Sequence, residues 1–177
     1  FLWDGVSNVL MDINYSMNGI AASDTCEGHA SAFTSTLVTN QSDNFLRFIG
    51  NGAIVTPDTT GLSSITDEIT LAFWSYGDTA QLPSTTSIAY AMDNSSARQL
   101  NVHLPWSDGN IYWDCGGSGG SFDRISRQAL AADFEGRWTF WTFTKNATTG
   151  EMKIYIDGHE WMSGTGKTIP INMKRFW

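Results

Sequence analysis

Residues 98–127, with the sequence RQLNVHLPWSDGNIYWDCGGSGGSFDRISR, contain two short runs in which apolar and polar side chains alternate. A polar segment with the dipeptide Asp108-Gly109 separates the two runs. Alternation of this kind predicts β-strands, and Asp-Gly favours the tight turn that joins two antiparallel strands. We therefore expect a β-hairpin whose turn lies within residues 105–110.

The first strand of this hairpin has one apolar and one polar side. Leu100, Val102 and Leu104 share a face, and Asn101 and His103 point to the opposite face. One face of the hairpin is therefore expected to pack in a core, while the other presents hydrogen-bonding side chains.

The register of the hairpin decides which aromatic ring joins this polar face. In one register Trp113 lies beside Asn101 and His103, and a slip of one residue replaces it with Tyr112 and Asp114. Either register puts a ring next to hydrogen-bonding groups, which suits the C–H face and the hydroxyls of a sugar. The alternative is a half-buried hairpin whose ring packs in a second core, because aromatic residues favour strands in any case.

The composition indicates one all-β extracellular domain. The chain has 177 residues, only 16% of them charged, with eight Trp, ten Phe and 17 Gly. The formal net charge of −8 argues against nucleic acid and anionic membrane surfaces. It also makes a highly sulfated or carboxylated glycan a less natural ligand unless a bound cation bridges the two. The sequence lacks a run of 18 apolar residues, so we expect no membrane insertion.

The two ends and the two cysteines suggest further expectations. The chain opens on Phe1 and stops on Trp177, both in apolar surroundings, which indicates a piece of a longer secreted or cell-surface polypeptide. The other domains of that parent polypeptide are then expected partners. Cys26 and Cys115 are predicted to form a disulfide, the alternative being two free thiols.

The rest of the chain contains short segments in which apolar and polar residues alternate, and little of it has the sequence pattern of a helix. Residues 1–10 are predicted to be a strand end and a turn, residues 11–44 show no sustained period, and residues 128–134 favour one or two helical turns. Such spacing predicts an antiparallel two-sheet β-sandwich, a jelly roll. Further strands are predicted at residues 69–76, 87–92, 137–145, 151–157 and 159–162.

Two of these segments resemble the laminin-G-like jelly roll of the concanavalin A-like lectin and glucanase superfamily, to which pentraxins are similar. They are ITLAFW at residues 69–74 and GRWTFWTFTKNATTGEMKIYIDG at residues 136–158. In those families two Trp-containing strands precede a hairpin that reads Tyr-x-Asp-Gly. Here Trp74, Trp141 and residues 155–158 stand at the matching places.

The resemblance covers residues 45–162, and NVHLPWSDGNIYWDCG at residues 101–116 is similar to the version found in glycan-active secreted bacterial proteins. Residues 1–44 form an atypical lead-in. The family's closing strand is either absent or replaced by residues 1–10. We therefore expect residues 1–177 to be a single laminin-G-like jelly roll domain, a fragment of a larger protein.

The resemblance admits enzymes as well as binding domains. Retaining glycanases of the superfamily place carboxylates as Glu-x-Asp-x-x-Glu on one strand, and this sequence lacks that pattern. Polysaccharide lyases of the fold use a Tyr/His/Arg/Gln cluster, which His103, Tyr112 and Arg124 would supply if they met. A lyase or hydrolase is therefore an alternative to a binding function.

Calcium is the cofactor that the resemblance implies, since many laminin-G-like and pentraxin domains hold it with loop carboxylates. Asp93, Asn94 and Asp123 provide oxygen ligands of the right hardness. The alternative is that these side chains cap turns.

The leading hypothesis is a non-catalytic carbohydrate-binding or adhesin module with a polysaccharide or glycan as its partner. A structural module for protein–protein assembly is the second hypothesis. In the carbohydrate-binding hypothesis Trp106 is the principal contact, because it follows Pro105 in a predicted turn. The whole predicted contact surface is His103, Trp106, Asp108, Trp113, Asp114 and Arg124.

Overall fold

Two β-sheets carry most of the described part of the chain. The structure is a computed structural model that describes residues 9–10, 35–37, 46–48, 61–118 and 120–176. The alternating runs become strands because alternation gives each strand one face for a core and one for solvent. In chain order the strands are β1 Val9–Leu10, β2 Ser35–Leu37, β3 Leu46–Phe48, β4 Glu68–Tyr76, β5 Ala89–Met92, β6 Arg98–His103, β7 Asn110–Ser118, β8 Ser121–Gln128, β9 Trp138–Asn146, β10 Glu151–Ile156, β11 His159–Gly164 and β12 Arg175–Phe176.

The first sheet has the strand order β1-β4-β9-β10-β11, and the second has the order β12-β5-β6-β7-β8. Pairing is antiparallel throughout, except that β1 runs parallel to β4. β2 and β3 pair with each other in a separate two-stranded sheet. The predicted antiparallel two-sheet sandwich is confirmed.

Helical structure in the described residues is limited to short pieces. The helix predicted at residues 128–134 is a single turn, α1 Ala131–Phe134, and a 3-10 turn spans Leu62–Ser64. None of the helices in this part of the chain has the length and apolar character that crossing a membrane requires.

The core lies between the two sheets and is rich in aromatic rings. Trp113, Trp141 and Phe143 are fully buried. The Phe143 ring lies 5.5 Å from Trp113 and 6.0 Å from Trp141, centroid to centroid. The Trp113 indole N–H donates a hydrogen bond of 3.0 Å to the carbonyl of Thr144 in the opposite sheet. Burying a Phe-sized side chain contributes roughly 1.5–3 kcal/mol, so this cluster is a main source of stability.

A buried ion pair also joins the two sheets. Lys145 of β9 has a completely buried side chain, and its Nζ lies 2.6 Å from Oδ2 of Asp123 on β8. Nζ also donates to the carbonyl of Cys115 at 2.8 Å, and the same Asp123 oxygen accepts the backbone N–H of Ile169 at 2.8 Å. We call Lys145 and Asp123 the sheet-bridging ion pair.

The β6–β7 hairpin forms in the second of the two registers considered above. Val102 pairs with Trp113, and His103 pairs with Tyr112. Trp113 therefore faces inward with Val102, and its side chain is 0% exposed. The prediction that Trp113 lies on the polar face beside His103 is wrong, and Tyr112 takes that position.

The turn explains this register. The backbone N–H of Gly109 donates to the carbonyl of Trp106 at 2.7 Å, so the tight turn spans residues 106–109, inside the predicted range of residues 105–110. Gly109 has a φ of +80°, a conformation that glycine adopts without strain. The Asp108 carboxylate accepts the N–H of Asn110 at 2.8 Å and closes the turn.

A β-bulge in β6 changes the side to which its first residue points. The pairs Ala91–Leu100 and Met92–Arg98 skip Gln99, which is the extra residue of the bulge. Simple alternation would place Arg98 on the same inward face as Leu100. The bulge instead turns Arg98 to the outward face of the sheet.

A second bulge lies beside it in β7, where Cys115 and Gly116 together oppose Asp123 of β8. Gly116 has a φ of +80°, and a Cβ there would lie 2.3 Å from the carbonyl oxygen of Ile169. Only glycine fits this position without displacing the backbone. The bulge also aims the Cys115 carbonyl at the Lys145 ammonium group.

Candidate functional site

The outward face of the second sheet carries a row of aromatic and cationic side chains. The register places Asn101, Asp114 and Arg124 side by side across β6, β7 and β8, with Tyr90 of β5 next to Asn101. The β6 bulge brings Arg98 to the same side, and the alternation of β8 places Phe122 there together with Arg124. We call the solvent-facing part of this surface the Arg–aromatic face, which consists of Tyr90, Arg98, Tyr112, Phe122 and Arg124.

Asp114 lies beneath this face and holds its two guanidinium groups. Its side chain is 1% exposed. It accepts hydrogen bonds from Nη1 of Arg98 at 2.8 Å, and from Nε and Nη2 of Arg124 at 2.5 and 2.8 Å. Charge-assisted hydrogen bonds of this kind are strong, and bonding to Asp114 raises the pKa of Arg124 above its usual value. The two arginine side chains remain 31% and 36% exposed and are fixed in place at the surface.

The aromatic rings of this face alternate with the guanidinium groups. Arg98 lies 5.8 Å from the Tyr90 ring centroid and 5.1 Å from that of Phe122. Arg124 lies 4.8 Å from Phe122 and 4.5 Å from Tyr112. Cation–π contacts of this kind contribute roughly 0.5–1 kcal/mol each at exposed sites. The row is therefore pre-organised before any ligand arrives.

His103 and Asn101 form a buried polar pair next to this row. Nδ1 of His103 lies 3.0 Å from the carbonyl of Thr86, which can only accept, so Nδ1 carries the proton and Nε2 accepts from Nδ2 of Asn101 at 2.6 Å. The Trp106 ring covers the imidazole, with 4.3 Å between centroids. Burial is the main reason that the pKa of His103 is lowered from its usual 6.5. His103 is therefore neutral at neutral pH.

Asp108 and Tyr112 form a hydrogen-bonded pair at the end of the row. The Tyr112 hydroxyl donates to Oδ2 of Asp108 at 2.6 Å. This bond lowers the pKa of Asp108 and raises that of Tyr112. Both side chains retain solvent-exposed surface and are accessible to a ligand.

A shallow cleft opens at the other end of the row, between the Tyr90 and Phe122 rings. Its volume is about 380 Å³, within the range of roughly 300–1,000 Å³ that is typical of small-molecule sites. Among the described residues of its wall, Arg98 is the charged one, and none is acidic. The described residues that line it are Tyr90, Ala97, Arg98, Ser118, Gly120, Ser121 and Phe122.

The structure brings most of the predicted contact residues to one face. Trp106, Asp108 and Arg124 lie at its surface, while His103 and Asp114 lie beneath and support it. Trp113 is the exception, since it is part of the core. Whether these residues contact a ligand stays a prediction.

Sequence reasoning missed three members of the face: Tyr90, Arg98 and Phe122. The alternation of β8 contains a signal for Phe122, because Phe122 and Arg124 are two residues apart and so share a face. Arg98 could not be found in this way, since the β6 bulge reverses its direction.

The predicted calcium ligands are not brought together. The Asp93 carboxylate accepts three hydrogen bonds from its own turn at residues 95–97, which bears out the capping alternative, and Asn94 is exposed. Asp123 is bonded to Lys145, so an ammonium group takes the place of a metal ion. Within the described residues, no group of three or more His, Cys, Asp or Glu side chains is arranged to hold a metal. Calcium binding by the chain stays a prediction.

Cys115 is a fully buried free thiol in the structure, and burial raises its pKa to about 12. Its predicted partner, Cys26, lies outside the described residues. The disulfide therefore stays a prediction, and Cys115 as described is inert in the folded protein.

The same part of the structure bears on the alternative that the domain is a lyase. His103, Tyr112 and Arg124 do meet: the His103 and Tyr112 rings lie 5.9 Å apart, and Arg124 lies over the Tyr112 ring. However, His103 is only 6% exposed, and both of its ring nitrogens are bonded to other protein groups. The Tyr112 hydroxyl is likewise engaged by Asp108. In this arrangement both His103 nitrogens and the Tyr112 hydroxyl are bonded to other protein groups.

The first sheet presents a second group of rings on the far side of the sandwich. Trp74, Tyr76 and Trp138 are 61%, 54% and 45% exposed. The Trp74 ring lies 5.2 Å from Phe140, and the Tyr76 ring lies 5.8 Å from Trp138. We call these four residues the opposite-face aromatic cluster.

Comparisons with solved structures place this fold among bacterial toxin domains. The receptor-binding domain of botulinum neurotoxin D aligns with a TM-score of 0.53 and 18% identity, covering 70% of this chain and 31% of that one. The binding domain of serotype G aligns with a TM-score of 0.51 and 17% identity, covering 83% and 39%. The serotype D domain in complex with N-acetylneuraminic acid aligns with a TM-score of 0.51 and 18% identity, covering 63% and 28%. The chain thus spans well under half the length of these structures, and the likeness concerns the fold.

Sequence comparisons define the family. A search of curated proteins gave no match. A laminin G family model, described as concanavalin A-like lectin/glucanases superfamily, matches residues 48–176. This range includes both sheets from β4 onward and the whole Arg–aromatic face. The chain belongs to the concanavalin A-like lectin/glucanases superfamily.

Proposed function

We propose that this domain is a non-catalytic, extracellular carbohydrate-binding module whose Arg–aromatic face contacts the glycan. The observation that carries the proposal is the row of three rings and two guanidinium groups, held open to solvent by one buried carboxylate. Aromatic faces pack against the C–H groups of a sugar, and guanidinium groups donate to its hydroxyls. A surface built only for solubility needs neither the rings nor a buried Asp114 to hold them.

The neighbouring structures support this proposal. They are receptor-binding domains, and one was solved with N-acetylneuraminic acid bound. Receptor binding by these neighbours agrees with the extracellular location that we propose for this chain. This chain covers less than two fifths of those structures at 17–18% identity, so the ligand has to be inferred from the residues of this face.

The arrangement of His103 favours binding over catalysis. A general base needs a nitrogen that can reach the substrate. In this protein Thr86 and Asn101 occupy both imidazole nitrogens, and Trp106 covers the ring. We therefore assign His103 a supporting role beneath the contact surface.

A glycan array tests the proposal, with the wild type compared with Phe122→Ala and Trp74→Ala. Phe122 lies at the centre of the face, whereas Trp74 is an exposed ring on the other sheet and serves as the matched control. We expect Phe122→Ala to weaken binding about 10-fold, since one ring contact contributes on the order of 1–2 kcal/mol. Trp74→Ala should bind like the wild type.

An array without any bound glycan would contradict the proposal, as would binding that Trp74→Ala abolishes and Phe122→Ala leaves intact. Running the array with and without a chelator tests the calcium prediction at the same time. Loss of binding in the chelator would mean that a cation takes part.

Protein–protein assembly is the second candidate, and the opposite-face aromatic cluster favours it. Exposed rings in contiguous pairs are typical of surfaces that meet another protein. If this face mediates self-association, sedimentation of the wild type should show a concentration-dependent dimer that Trp74→Ala removes. A monomer at all concentrations would leave that cluster without a self-assembly role.

A further inference from the structure

We propose that the cleft between Tyr90 and Phe122 recognises the carboxylate of an acidic sugar, through the open edge of Arg98. This inference rests on the carbohydrate-binding function proposed above and specifies its ligand class. It also revises the expectation from net charge, because the local charge in the cleft differs in sign from that of the chain.

The two arginines use their donors differently. Arg124 gives its Nε and Nη2 edge to Asp114 as a bidentate pair. Arg98 gives only Nη1 to the same carboxylate. Among the described residues the Nε and Nη2 donors of Arg98 have no hydrogen-bond partner. The Nε–Nη2 edge of the guanidinium, which binds Asp114 in Arg124, is therefore open in Arg98. A planar edge of two N–H donors matches a carboxylate in geometry and charge.

The surroundings of Arg98 favour an anion over a neutral ligand. The described residues of the cleft wall include one cation and no acidic side chain, although the chain has a formal net charge of −8. Asp114 is shielded beneath the face, and its single charge is shared between two guanidinium groups. Asp108 lies at the far end of the row, where its carboxylate is bonded to Tyr112.

The rest of the cleft suits the sugar that carries the carboxylate. The Tyr90 and Phe122 rings stand on either side of the guanidinium, at 5.8 and 5.1 Å from its carbon. Ser118 and Ser121, at the tip of the β7–β8 hairpin, line the same opening and offer hydroxyl groups to a sugar. One pyranose ring can then stack on an aromatic face while its carboxylate meets Arg98.

The test compares uronic-acid oligosaccharides with their methyl esters, which keep the sugar chain and remove the charge. We expect the wild type to bind the acids at least 10-fold more tightly than the esters, and the affinity for the acids to fall as NaCl is raised. Arg98→Gln should lose this preference. Arg127→Gln is the control, because it also removes one positive charge from the second sheet, but Arg127 contacts Trp161 and lies outside the cleft. This variant should keep the preference for the acids.

The thermal stability of each variant separates folding from recognition. Arg98→Gln leaves Asp114 held by Arg124, and a melting temperature close to the wild type shows that a loss of preference arises in the cleft. If Arg98→Gln unfolds, Arg98→Lys keeps the charge without the planar edge and should retain salt-dependent binding at reduced affinity.

The two levels of the proposal fail differently. Equal binding of acids and esters overturns carboxylate recognition and leaves glycan binding intact. Preference for sulfated over carboxylated sugars also overturns the carboxylate assignment. An array without any bound glycan overturns the proposed function and this inference together.

Discussion

The sheet-bridging ion pair permits a quantitative prediction. In Lys145→Met the ammonium is replaced by an unbranched apolar side chain of similar length, and the buried Asp123 carboxylate keeps only the N–H of Ile169. Removing one partner of a buried pair costs about 3–5 kcal/mol, because the other charge is left uncompensated. For a chain of this length that corresponds to a decrease of about 6–20 °C in melting temperature.

The double variant Lys145→Met with Asp123→Asn should be more stable than Lys145→Met alone. It removes both charges and keeps an oxygen for the Ile169 N–H. It leaves the Cys115 carbonyl without a partner, a loss of about 1–3 kcal/mol. The two substitutions are therefore expected to be strongly non-additive.

Urea denaturation followed by Trp fluorescence measures these free energies of unfolding. Lys153→Met is the matched control, since Lys153 pairs with Glu151 at the surface and its loss should cost no more than about 1 kcal/mol. A cost below about 1 kcal/mol for Lys145→Met, or a double variant as unstable as the sum of the two single ones, would refute the reasoning.

Three further predictions concern groups around the site. Burial lowers the pKa of His103 below 6.5, so on acidification the unfolded chain binds a proton at this residue before the folded protein does. The free energy of unfolding should therefore fall as the pH drops below about 6.5. A series of urea titrations at different pH values measures this effect, and a His103→Gln variant should lack it. Trp106→Ala exposes the imidazole and should move its pKa back toward 6.5 in an NMR titration, and an unchanged value would contradict burial as the cause. The Cys115 thiol should resist a thiol reagent until the protein unfolds, and titration of the unfolded, non-reduced chain then yields two thiols, or none if the disulfide with Cys26 forms.

Much of the fold is predictable from the sequence because alternation and turn signals agree. The strand predicted at 69–76 is observed as β4, and the Asp157-Gly158 turn joins β10 to β11 as its sequence indicates. Those segments bury one face against the core and need no long-range information to be recognised. The same local rules predicted a polar face on the β6–β7 hairpin.

The candidate site is less predictable because three of its determinants are not local. The turn at Gly109 fixes a register that buries Trp113, and alternation alone fits either register. The bulge at Gln99 turns Arg98 outward, although the alternation of the strand would place it inward. The ion pair between Asp123 and a lysine 22 residues away depends on the packing of two sheets.

These non-local features are connected to each other through the β7 bulge. The bulge at Cys115 and Gly116 directs a carbonyl inward to Lys145, and it directly follows Asp114, which the regular pairing of β7 places on the outward face. The carbonyl that accepts from the buried ammonium and the carboxylate that holds Arg98 and Arg124 therefore belong to neighbouring residues of one strand. Because of this proximity, we expect core substitutions that shift the bulge to disturb the geometry of the Arg–aromatic face as well.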